Sequence, residues 1–103
     1  MRGMNDLMRQ AQQMHKKMEK VQEELAQKTV EAQAGGGMVT ATANGQGDLV
    51  GLKIDPSVVD PEDVEMLQDL VLAACKEAQK KGKQMQEDEM GELTGGMNFP
   101  GMF

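Results

Sequence analysis

Apolar residues return at spacings of three and four through the first quarter of the chain: Met4, Leu7, Ala11, Met14, Met18, Val21 and Leu25. That period is the heptad seam of an amphipathic helix, with Lys17 and Glu24 on one flank and His15 and Gln22 on the other. Neither Gly nor Pro falls between residues 4 and 34, so the helix is predicted to run until β-type composition begins near Thr29. About 24 residues at the α-helical rise make a rod of about 36 Å.

The period then changes to two, and three short strands are predicted. Val30, Ala32 and Ala34 alternate with Thr29, Glu31 and Gln33, and Gly35-Gly36-Gly37 makes a turn. Val39, Ala41 and Ala43 alternate with Met38, Thr40 and Thr42 as far as Asn44-Gly45, a hairpin signal. Val50, Leu52 and Ile54 alternate with Leu49, Gly51 and Lys53. A loop of Asn44-Gly45 alone and one reaching Gly47 both put Val39 and Ala41 on the face of Val50 and Leu52, because they differ by an even register shift. One sheet face is therefore apolar and built of small residues, suited to closely packed helices.

Asp55-Pro56 ends the third strand. Asp60-Pro61-Glu62-Asp63 is expected to open a second helix, with Asp60 as N-cap and Pro61 in the first helical position. Val64, Leu67, Val71, Ala74, Ala78 and Lys81 continue the three-and-four spacing, and Gly82 is expected to weaken the helix near its end. From Glu87 the composition turns acidic and then Gly- and Met-rich, which divides the chain into one domain over residues 1–86 and a flexible tail over 87–103. The fold class that follows is α+β, in the order α-β-β-β-α, with a three-stranded antiparallel sheet and two long helices.

Composition makes the core thin. There is no Trp or Tyr, the two Phe lie in the tail, and eleven Met supply much of the apolar surface. Helices longer than six-residue strands must project beyond the sheet, and their seams stay wet unless another helix covers them. A homodimer is expected, with Leu7, Met14, Val39, Leu52, Leu67, Leu70 and Val71 as its core and interface. No apolar run of about 18 residues is available to span a membrane. The N-terminus leads into a polar helical pattern rather than a signal core, and a lone Cys75 excludes an internal disulfide, so a cytoplasmic setting is expected.

The formal charge of −6 at first argues against nucleic acid. It is unevenly spread: residues 1–30 hold six basic and four acidic groups, whereas residues 84–103 hold four acidic and no basic ones. A local field can be basic on an acidic protein. Basic candidates are Arg9, Lys16, Lys17 and Lys20 on the first helix, and Lys76, Lys80 and Lys83 along one side of the second. Ion pairing with Glu19 and Glu23 would account for the first group, and the helix dipole for the second. Lysine is a point charge suited to phosphates rather than base edges, and without Tyr or Trp there are no stacking platforms for single strands.

Catalytic chemistry finds little here. His15 and Glu19 make a poor metal site without further ligands. Cys75 reads as a small apolar residue beside the seam, and Gly35-Gly36-Gly37 lacks the Lys-Ser/Thr of a phosphate loop. No enzyme, cofactor, metal or small-molecule substrate is expected.

The run from Gly35 through Asn44-Gly45, then Leu49-Val50-Gly51-Leu52-Lys53-Ile54-Asp55-Pro56, then Asp60-Pro61-Glu62-Asp63-Val64-Glu65-Met66-Leu67-Gln68-Asp69-Leu70-Val71, resembles the YbaB/EbfC family of bacterial nucleoid-associated proteins. The opening Met4-Asn5-Asp6-Leu7-Met8-Arg9-Gln10-Ala11 and the closing Met97-Asn98-Phe99-Pro100-Gly101-Met102-Phe103 look like that family's ends, so the likeness covers essentially the whole chain. It implies a tweezer-like homodimer whose protruding helices hold double-stranded DNA on the nucleoid, without catalytic activity and with a bearing on nucleoid organisation and gene expression. It also shifts the basic residues from ion-paired surface to phosphate contact, with low sequence specificity. The sequence departs from the family at Cys75-Lys76, where a polar-acidic pair is frequent. A coiled-coil protein-interaction or holdase module is the alternative, because Met-rich seams adapt to varied partners.

Overall fold

The computed structural model describes residues 2–93 of the chain, the side chain of Arg2 excepted. Helix α1 (Arg2–Gln27) leads into strands β1 (Thr29–Ala34), β2 (Val39–Asn44) and β3 (Leu49–Ile54), a short 3-10 helix (Pro56–Val58) and helix α2 (Val64–Leu93). The sheet is antiparallel in the order β1-β2-β3. This is the expected α-β-β-β-α fold. The molecule extends over 73 × 25 × 16 Å, several times the roughly 20 Å of its strands, so helix does project beyond the sheet.

Small side chains make the core. Ala32, Val39, Ala41 and Ala43 on one sheet face meet Ala74 and Ala78 of α2, all essentially inaccessible to solvent. Leu67, Leu70 and Val71 pack half-buried around them. The sheet turns at Gly35, Gly36 and Gly37, all with positive φ, a conformation that a Cβ disfavours.

The second hairpin takes neither of the two loops considered, because Gly45 to Asp48 separate β2 from β3. Asn44 stays in β2, and its side-chain Oδ1 accepts the N–H of Gln46 at 2.9 Å and of Asp48 at 3.0 Å. This loop closes the fold on α1: the Gly45 N–H donates to Leu25 O at 2.8 Å and Lys28 O at 3.0 Å, satisfying carbonyls at the helix end. Leu25 is fully buried at this joint.

Four local expectations are corrected. The register pairs Ala41 with Leu52 and Val39 with Ile54, but Val50 is the extra residue of a bulge opposite Thr42 and Ala43, so it leaves that face. Leu52 stays half exposed, because α2 lies over β1 and β2 and leaves β3 open. Asp60 caps a turn rather than the helix: its carboxylate accepts the Glu62 N–H at 2.9 Å, while Asp63 caps α2 by accepting the Met66 N–H at 3.3 Å. Pro61 therefore sits one turn early. Gly82 does not loosen a helix end but lies buried inside α2, where a Cβ would stand 2.3 Å from the backbone oxygen of Asn44. Only a glycine lets helix and hairpin approach so closely.

The composition change at Glu87 does not stop the helix. Apart from Asp88 and Gly91, residues 84–93 are good helix formers, a Gln84–Asp88 hydrogen bond of 3.0 Å spans one turn, and α2 continues to Leu93. The remainder of the expected tail, residues 94–103, lies outside the described residues.

Candidate nucleic-acid interface

Helix α1 runs 26 residues, about 39 Å, and its buried and half-buried side chains among the described residues begin at Met14. At 100° per residue, Arg9, Lys16 and Lys20 fall within a narrow arc of its surface, directly opposite the apolar seam, and Lys17 flanks them. All four are exposed, and none has an acidic partner within 4 Å among the described residues. The neutralising pairs considered from sequence do not form. Glu19 faces His15 instead, at 2.8 Å.

On α2, Lys76, Lys80 and Lys83 line one open groove with Gln79, Gln84 and Glu87. They too lack ion partners among the described residues. The stem of Lys83 lies against Gly47, which fixes its base while the ammonium stays in solvent. Lys81 points elsewhere: its Nζ donates to the Glu31 carbonyl of edge strand β1 at 3.1 Å, covering an edge that would otherwise be free to pair.

A polar joint connects the two helices. Gln22 accepts from Gln46 through its backbone oxygen at 3.1 Å and from Gln86 through its side chain at 3.2 Å. Lys28 is paired with Glu89. That hydrogen bond, helped by the charges of Glu89, Glu24 and Glu92, holds the Lys28 ammonium above its usual pKa. At the far end of the sheet, the Ser57 backbone N–H and hydroxyl hold the Asp55 carboxyl below the ordinary carboxylate value. Neither group faces the unpaired lysines, so they tune the scaffold rather than the interface.

Among the described residues, two apolar surfaces remain open. One lies beside β3, where exposed Leu52 adjoins the uncovered sheet edge and Leu67, Val71, Leu72 and Cys75 of α2 line an apolar groove. Leu72 and Cys75 were not among the interface candidates from sequence. Leu72 sits one position off the seam beside Val71, and that off-period apolar residue was the available signal. The other surface is the arm of α1: Met4, Leu7 and Met8 are 64 %, 69 % and 58 % exposed, while Met14 is half-buried. Of the sequence-selected interface residues, Val39 is interior and Leu67, Leu70 and Val71 line its margin; Leu7 and Leu52 face solvent. No group of three His, Cys, Asp or Glu gathers as a metal site among the described residues.

The family model described as the YbaB/EbfC DNA-binding family matches residues 1–97. The chain belongs to this family. A nucleoid-associated protein of Thermoanaerobacter pseudethanolicus is 55% identical over 101 residues, spanning 98% of this chain and 91% of the relative. One from Clostridium novyi is also 55% identical, over 98% of this chain and 89% of its own length. The crystal structure of an uncharacterized Helicobacter pylori protein superposes with a TM-score of 0.76 at 27% identity, covering 85% of this chain and 92% of that one. Membership of a DNA-binding family makes the unpaired cations the first place to look for the DNA contact.

Proposed function

We propose that the protein is a nucleoid-associated, homodimeric DNA-binding protein that grips duplex DNA through phosphate contacts. Arg9, Lys16, Lys17 and Lys20 of α1 and Lys76, Lys80 and Lys83 of α2 make those contacts. The observation that carries the reading is that these seven cations are exposed and lack acidic partners, whereas Lys28 and Lys81 are engaged within the fold. Cations that fold stability does not occupy are available to release counterions from DNA. The names of the relatives support a place on the bacterial nucleoid. In this reading a second copy covers the groove of Leu52, Leu67, Val71 and Leu72, because apolar surface of this kind gains from burial against its like. DNA recognition through lysines is insensitive to base sequence, which suits nucleoid organisation and broad effects on gene expression.

A duplex titration at several salt concentrations tests the reading. If the dimer engages about five phosphates, log affinity falls against log salt with a slope near −4 to −5. Replacing Lys16, Lys17 and Lys20 together by Glu abolishes binding with helical content intact, and the same change at Lys76, Lys80 and Lys83 weakens it. Unrelated duplexes of equal length respond alike. Salt-independent binding of unfolded clients in place of DNA would favour the holdase alternative, which the exposed apolar arm otherwise keeps in view.

A further inference from the structure

At 100° per residue, Lys76, Lys80 and Lys83 fall within a narrow arc of α2, opposite buried Ala74 and Ala78. They follow one another at spacings of four and three, and the next step of four lands on Glu87, in the same arc and lining the same groove. A row of three cations thus ends in a carboxylate, and no basic residue follows Lys83 in the sequence. Two neighbouring acids are engaged by the fold: Asp88 accepts the Gln84 amide at 3.0 Å, and Glu89 pairs with Lys28. Glu87 is exposed and has no cation within 4 Å among the described residues. Lys83 and Glu87 have the spacing of a helical ion pair, but with lysine first, the weaker order.

We infer that Glu87 is an end stop for DNA on α2: it repels the phosphate that a fourth cation would bind, and so confines the contact on this helix to the run from Lys76 to Lys83. This rests on the DNA-binding reading proposed above. From Lys76 to Lys83 the helix advances about 10 Å, a length that matches about three phosphates of one strand. Glu87 stands about 6 Å further along the same row, where the following phosphate would lie. A carboxylate free of any partner keeps its full charge toward that phosphate, whereas one paired with Lys83 would be neutralised. The stop shortens the phosphate run of each protomer, which weakens binding and makes its salt dependence shallower than a fully basic row would give.

Duplex affinity is measured for the full chain and its single variants at several salt concentrations, with circular dichroism to confirm equal helix content. At low salt, Glu87→Gln binds about threefold more tightly per protomer, about tenfold for a dimer, the size expected for losing repulsion from one phosphate about 6 Å away in water. The gain shrinks as added salt screens that repulsion. Glu62→Gln removes the same charge from the turn before α2 and leaves affinity unchanged. Glu87→Lys completes the basic row, and about one more phosphate per protomer steepens the salt slope by about 0.9 each, about 1.8 for a dimer. A gain at Glu87→Gln no larger than at Glu62→Gln overturns the inference, because net charge alone would then account for it. An unchanged slope in Glu87→Lys overturns it too, because no phosphate then reaches that position. The triple change of Lys76, Lys80 and Lys83 to Glu separates the two readings. If it binds like wild type, DNA contact on α2 has failed altogether; if it weakens binding while both Glu87 variants match wild type, only the end stop has failed.

Discussion

The body of the molecule and its arm use side-chain size in opposite ways. In the body, Ala32, Ala41, Ala43, Ala74, Ala78 and Gly82 are buried, so the smallest residues hold the interior. On the arm, Met4, Leu7 and Met8 are among the most exposed residues of their size. Small residues let α2 lie almost on the backbone of the sheet, where close approach rather than bulk supplies the dispersion energy. Large apolar residues left in water instead mark surface awaiting a partner. Folding depends on the first region and leaves the second uncovered among the described residues, so substitutions in the two should differ in their effect on stability.

The largest effect is expected at the joint between the regions. Leu25→Ala empties a fully buried site against the Gly45 loop and should cost about 2–5 kcal/mol in urea unfolding, detaching the arm from the body. Gly82→Ala comes next. The added Cβ meets the Asn44 oxygen, and the overpacking cost of about 1–3 kcal/mol exceeds the helix-propensity gain of about 1 kcal/mol. Gly91→Ala in the same helix, where a Cβ meets nothing within 4 Å, should instead stabilise slightly; equal effects at the two glycines would refute close approach as the cause.

Truncation locates the boundary of the body. A chain ending at residue 86 loses the Lys28–Glu89 pair and the half-buried Met90 and Leu93, and should melt earlier by an amount reflecting about 2 kcal/mol, mostly lost apolar burial. A chain ending at Leu93 keeps these contacts and should have a higher melting temperature than the shorter chain.

The smallest effect belongs to Lys28 itself, exposed and screened by solvent. Its pKa is raised in the folded state, so its contribution is present in full below the ordinary lysine value of 10.5 and disappears as pH rises through the higher folded value. Urea midpoints of the wild type and Lys28→Met should therefore differ slightly near neutrality and converge at strongly alkaline pH. A gap that widens on the alkaline side would contradict the assigned pairing.

Much of this architecture was legible before the fold was known. The change of period from seven to two and back marked the helices and the sheet, and the alternation of Ala and Val marked the buried face. The basic residues were visible too, but their state was not: Lys16 and Lys20 had acidic neighbours in sequence, and only the side-chain arrangement showed Glu19 turned to His15. The start of α2 was misplaced for a local reason, since Asp60 and Asp63 are equally good caps and the turn at Pro61 decided between them.

By itself the sequence determined the elements and their amphipathic faces, because periodicity and turn chemistry act over neighbours along the chain. It also determined which side chains are cationic, since that depends on residue type. Only the tertiary structure decided that Gly82 is a contact and not a weakness, that Leu52 faces out while Val39 faces in, and that Lys81 serves the sheet edge while Lys80 stays free. Each of these depends on what approaches across space. Packing joins residues far apart in the chain, and no local period records which of two equivalent surfaces a neighbouring element will cover.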